Sequence, residues 1–107
     1  MAAFTNSLRA GSHVLRLGSD SEARLAFRVQ LQDVWETVGV EAPADMPIRV
    51  IKERVIEAVL PATEEPEEYL IKLGGWEVLD ENLSVAASGA THGSTFLISG
   101  RRRRPVR

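Results

Sequence analysis

The sequence predicts one small α+β domain, a single mixed sheet crossed by a single helix. Three observations predict it. Apolar and polar residues alternate in two hairpin-like pairs of segments, the stretch between the pairs repeats its apolar residues every three or four positions, and 107 residues suffice for one hydrophobic core but not two. A hydrophobic share of 44% and a charged share of 26% are ordinary for a globular chain. The absence of cysteine excludes disulfides, thiolate metal sites and cysteine chemistry together.

Taken in order, residues 1–23 read as a flexible leader of small and polar residues. Its acid-free start, with Arg9 and Arg16, is faintly like a transit peptide, but an unstructured start is the commoner reason for such a composition. From Arg24 the chain alternates Leu25, Phe27, Val29 and Leu31 with polar residues, the period of a half-buried strand. After Gln32 and Asp33, the residues Val38, Val40 and Ala42 alternate with Thr37, Gly39 and Glu41, so this run returns beside the first as a hairpin. Asp45 reads as a helix N-cap with Pro47 in the first turn. Ile48, Ile51, Val55 and Val59 then form an apolar stripe over roughly 47–60, with Arg49, Lys52, Glu53 and Glu57 on the polar side. Pro61 stops the helix.

The four glutamates of 62–68 surround Pro66 and read as a solvated connection. Tyr69, Ile71 and Leu73 make a third strand, Gly74-Gly75 a tight turn, and 76–79 a fourth strand in which Trp76 is expected to pack near the hairpin. An irregular crossing over 80–93, anchored by Leu83 and Val85, leads to a last strand over 95–99 with Phe96 and Ile98 on one face. The order strand, strand, helix, strand, strand, crossing, strand is the β-grasp layout, with four to five strands. It places the domain at 24–99, followed by a basic tail at 100–107.

The same residues resemble the ubiquitin family. The resemblance rests on Val40-Glu41 leading through Pro43 and Asp45 into the helix, Leu70-Ile71 ending at Gly74, Asn82-Leu83-Ser84, and Gly93-Ser94-Thr95-Phe96. The turn His92-Gly93 is similar to that of the small bacterial ubiquitin-like proteins of the YukD and EsaB type, which are associated with type VII secretion. Ubiquitin-like modifiers act through a free C-terminal Gly-Gly. This sequence ends instead in Gly100-Arg101-Arg102-Arg103-Arg104-Pro105-Val106-Arg107.

Candidate sites follow from strand parity, which sends Arg28, Gln30, Trp35, Thr37, Leu70, Lys72, Leu97 and Ser99 to the sheet face that the helix leaves open. The resemblance implies that this face binds partners, and Trp35, Leu70 and Leu97 are similar in position to the family's apolar patch. With Lys72 they are the expected protein-binding residues, lying in water before a partner covers them. His92 and Ser94 sit two apart and His13 lies far away, but no third group aligns a base with a nucleophile, so no catalytic residue is assigned. No metal is expected, since the histidines lack zinc spacing and the glutamate run lacks the pattern of a calcium loop. Gly89 and Gly93 lack the lysine of a phosphate loop, and no cofactor is expected.

Charge is uneven along the chain. Up to Ser99 eight basic and fifteen acidic residues give −7, and Arg101, Arg102, Arg103, Arg104 and Arg107 then add +5. These arginines are expected to be disordered and to attract acidic surfaces in a salt-sensitive way. No stretch approaches the roughly 18 consecutive apolar residues of a membrane-spanning helix, and the expectation is a cytoplasmic protein. The reading is a non-enzymatic ubiquitin-like interaction module, an adaptor or accessory subunit of a larger and secretion-related complex. One alternative is nucleic-acid or anionic-surface binding through the arginine tail, which the acidic body disfavours for nucleic acid. Another is a modifier that requires processing.

Overall fold

A computed structural model describes residues 13–18 and 23–100. Its elements are β1 (His13–Arg16), β2 (Arg24–Leu31), β3 (Glu36–Pro43), α1 (Ile48–Val59), β4 (Tyr69–Leu73), β5 (Trp76–Glu77) and β6 (Thr95–Gly100). The six strands form one sheet in the order β1-β3-β2-β6-β4-β5. β2 and β3 are an antiparallel hairpin, whereas β6 runs parallel to β2 and antiparallel to β4. Gly74 and Gly75 close the β4–β5 hairpin at φ 61° and 87°, the pair of positive angles that a two-residue turn between twisted strands requires.

Period-two alternation does what it implies. Phe27, Val29, Val38, Val40, Ile71, Phe96 and Ile98 are buried under α1, which contributes Ile48, Ile51, Val55 and Ile56. Leu73 packs against this core from its margin. The rings of Phe27 and Phe96 meet edge to face at 5.4 Å between β2 and β6. Each buried side chain contributes roughly 1.5–3 kcal/mol on leaving water, whereas exposed helix pairs such as Arg49–Glu53 and Arg54–Glu57 are worth about 0.3–0.5 kcal/mol each. The aliphatic layer therefore holds the fold. In the crossing, Val85 is fully buried as expected, but Leu83 is exposed and Ala90 takes the second inward position.

Three local expectations are corrected. The leader reading of 1–23 gives way at residues 13–17, where β1 lies parallel to β3 in the register His13↔Val38 to Arg16↔Glu41. Leu17 is buried, Leu15 packs on the core, and Arg16 forms an ion pair with Glu41. A strand of four residues is too short for its period to stand out. Gly18 then leaves the strand at φ +71°, where a Cβ would lie 2.6 Å from Cγ of Pro43.

Asp45 does not cap the helix. The N-cap is Pro47 and makes no side-chain cap bond. The amides of Ile48 and Arg49 instead donate to the carbonyls of Leu83 (2.8 Å) and Glu81 (2.7 Å), so the crossing caps the helix with backbone.

Lys52, expected on the polar side, is 3% exposed. Its Nζ donates to the carbonyl of Tyr69 and to the Glu81 carboxylate, each at 2.9 Å, tying α1 to the start of β4 and to the crossing. Nearby, the Tyr69 hydroxyl donates to Glu64 Oε1 at 2.5 Å. Burial first, and then this carboxylate, push the phenol up to about 12, so it stays a neutral donor.

Two measurements check this account. Glu81→Ala is expected to lower the unfolding free energy in urea by on the order of 3 kcal/mol, because it strands a buried ammonium, whereas Lys52→Met keeps the stem and costs less. Gly18→Ala is expected to cost about 1–3 kcal/mol from the positive φ and the Pro43 contact, with amide exchange quickening first in β1.

Candidate protein-binding face

The sheet face opposite α1 is built in rows by the strand register. Thr37, Gln30, Leu97 and Lys72 stand side by side across β3, β2, β6 and β4. The flanking rows are Gly39–Arg28–Thr95, with Val14 of β1 beside Gly39, and Ser99–Leu70. The predicted parity thus brings Leu70, Lys72 and Leu97 onto adjoining rows of β4 and β6.

Their exposure is lower than expected. All three are half-buried, because Leu97 has Gln30 and Lys72 directly beside it and long neighbours cover part of a central apolar side chain. Trp35, by contrast, is 81% exposed. It follows a short helical turn, Gln32–Val34, that is held to the end of β6 where the Gly100 amide donates to Asp33 Oδ2 at 3.2 Å. This places Trp35 at the end of the sheet that Leu70 and Ser99 occupy. Its backbone has φ 55° and ψ 40°, a left-handed conformation that costs a non-glycine residue about 1–2 kcal/mol.

Charge on this face opposes that of the body. Arg16, Arg24, Arg28 and Lys72 lie on it by register, with Glu41 and Glu77 as its acidic members. Glu41 is engaged by the Arg16 side chain, and its carbonyl accepts from Arg24 Nη2 at 2.9 Å. Glu53, Glu57 and the glutamates of 64–68 belong to the helix and its following loop. Parity alone puts Arg28 here, but the basic character of the face also needs Arg16, which β1 brings and which the leader reading of 1–23 leaves out. Leu15 and Leu17, two apart, were the available signal.

The other sequence candidates have structural partners. The Ala26 amide donates to His92 Nδ1 at 3.1 Å, the Gly93 amide to the Ala26 carbonyl at 2.8 Å, and the Thr91 amide to Ser94 Oγ at 2.9 Å. The His92-Gly93 turn, with Gly93 at φ 84°, thus clamps β2. Trp76 does not pack as expected. It is 80% exposed, because β5 is a two-residue edge strand with no further strand to lean on. Arg101, Arg102, Arg103, Arg104 and Arg107 lie outside the described residues.

No family model and no curated protein matches the chain. Solved structures do. A ubiquitin-like domain of an Arabidopsis thaliana protein matches at 12% identity and a TM-score of 0.64, over 80% of this chain and 86% of that one. A ubiquitin from Caldiarchaeum subterraneum matches at 11% and 0.63, over 76% and 98%. The N-terminal ubiquitin-like domain of a further protein matches at 12% and 0.64, over 85% and 88%. Identities this low show the fold, and the fold is ubiquitin-like: a mixed sheet with one main helix across it.

A strained and exposed tryptophan gives a direct test of whether Trp35 serves stability. Trp35→Gly is expected to leave the urea midpoint unchanged or to raise stability by about 1 kcal/mol, since glycine accepts the left-handed angles freely. A loss of several kcal/mol would place the indole among the groups that hold the fold.

Proposed function

We propose that this chain is a non-enzymatic interaction module that docks the open face of its sheet onto an acidic segment of a larger protein bearing apolar side chains. The observation that carries this reading is the row of Leu97 and Lys72, with Leu70 and Arg28 on adjoining rows, on the face opposite α1, which no helix of the described residues covers. Half-buried leucines with Lys72 and Arg28 close by suit a ligand that offers apolar groups to the centre and carboxylates to the rim. The strain at Trp35 fits the same role, because backbone strain tends to collect where a side chain is held out for binding.

A modifier released by processing fits the chain poorly. The Gly74-Gly75 pair closes a hairpin, and cutting there would remove β6 from between β2 and β4. The finer reading is a cytoplasmic accessory subunit of a secretion-type assembly, supported by the His92-Gly93 turn that is similar to the YukD and EsaB type. Recovery of secretion components on the purified protein in its native host, identified by mass spectrometry, would support it. Their absence from a recovered complex would count against it.

The docking face is tested by Leu70→Asp and Lys72→Glu in the full chain, with stability and affinity for the recovered partner measured together. Lys72→Glu is expected to weaken binding about tenfold or more at physiological salt and less at high salt, with the urea midpoint lowered only slightly by the like charge opposite Glu77. Leu70→Asp is expected to weaken it at both. Unchanged affinity in both variants would remove the open face from the function.

A further inference from the structure

A second apolar surface lies away from the open face. Trp76, Leu79 and Leu83 are 80%, 84% and 39% exposed, and together with Leu73 and Val78 they line one cleft of about 210 Å³. That is several times the roughly 30 Å³ share of one water molecule, so the cleft admits a side chain. Single exposed apolar residues are ordinary, but three large ones sharing a cleft mark an interface. The register separates this surface from the one described above. Trp76 pairs with Leu73, whose side chain packs on the helix side of the sheet, whereas Lys72 and Glu77 pair on the other side.

The cleft's surroundings identify what would enter it. Glu77 borders it from the open-face side of β5, and Asp80, next in the chain to Leu79, is exposed and accepts from the Asn82 amide at 3.1 Å. Among the described residues, no lysine or arginine lines it. An exposed indole with carboxylates nearby attracts a cation twice over, through the ring face and through ion pairing. A second copy meeting this cleft with its own cleft would bring the same acidic rim and is disfavoured by like charge. We propose that this cleft binds a short peptide segment of a partner protein in which an aliphatic side chain stands next to arginine or lysine. The domain is then two-sided, with an open face for acidic ligands and an edge cleft for basic ones. The edge cleft shares only Glu77, at its border, with the open face.

The test is an NMR titration of the full chain, following backbone amides, with a blocked synthetic peptide that alternates arginine and leucine. Matched peptides carry glutamate in place of arginine, or serine in place of leucine. The expected result is saturable shifts at Trp76, Leu79 and Leu83 with the first peptide, and binding about tenfold weaker or worse with the other two. Trp76→Ala and Leu79→Ser, both at exposed positions, are each expected to weaken the first peptide by about tenfold while leaving the amide spectrum of the core intact. Four results would overturn the proposal. One is equal binding of the glutamate peptide, and another is the absence of saturable shifts around Trp76, including shifts confined to Leu70, Lys72 and Leu97. Concentration-dependent shifts at Trp76 without peptide would make a second copy the occupant. Shifts there on changing Arg101, Arg102, Arg103 and Arg104 to glutamate, without peptide, would make the chain's own C-terminal segment the occupant.

Discussion

The insertion of β6 between β2 and β4 is the constraint on which the rest depends. The first half of the chain supplies β1, β3 and β2, the second half supplies β4 and β5, and β6 joins the two groups. Its inward residues Phe96 and Ile98 are fully buried, and Phe96 meets Phe27 across the junction. Because the last strand sits at the centre, neither half can complete its hydrogen-bond ladder until the whole chain has been threaded. Sequence-distant pairing of this kind is slow to form and cooperative once formed. The crossing that delivers β6 also supplies the helix cap at Leu83 and Glu81, so one segment positions both the central strand and the helix.

The parts of the fold most legible in the sequence were those with the longest periodic patterns. The run of eight residues in β2, the six alternating residues 37–42 in β3, and four apolar residues at helical spacing announced themselves. Features set by distant parts of the chain did not. Lys52 looks like a solvated helix residue until the crossing folds over it and Glu81 and the Tyr69 carbonyl take its charge. Asp45 looks like a cap until the carbonyls of Leu83 and Glu81 make one unnecessary. The open face was legible as a set of positions, because parity fixes which way each side chain points. How far each side chain was covered was not legible, because that depends on which neighbours stand beside Leu97 in register.

Charge is sorted by face and not only by position along the chain. A formally acidic body turns a basic surface outward from its sheet, because alternate residues of β1 and β2 place arginines there, while most of the described glutamates lie on the helix and the loop that follows it. The net charge along the sequence therefore gives the wrong sign for the surface offered by the sheet. A field arranged this way orients an approaching partner before contact, which affects the rate of encounter more than the final affinity.

The short strand β1 also covers what would otherwise be an exposed edge of β3. The sheet ends in strands of four and two residues, β1 and β5, and edges this short offer little template for another chain. Directly behind β1 lies β3, with eight residues and the β-prone run Thr37-Val38-Gly39-Val40. If β1 peels away, that run becomes the edge, and a long, flat row of unpaired amides faces solvent. Four residues near the start of the described chain thus act as a cover against aggregation, and the close fit of Gly18 on Pro43 keeps that cover in place.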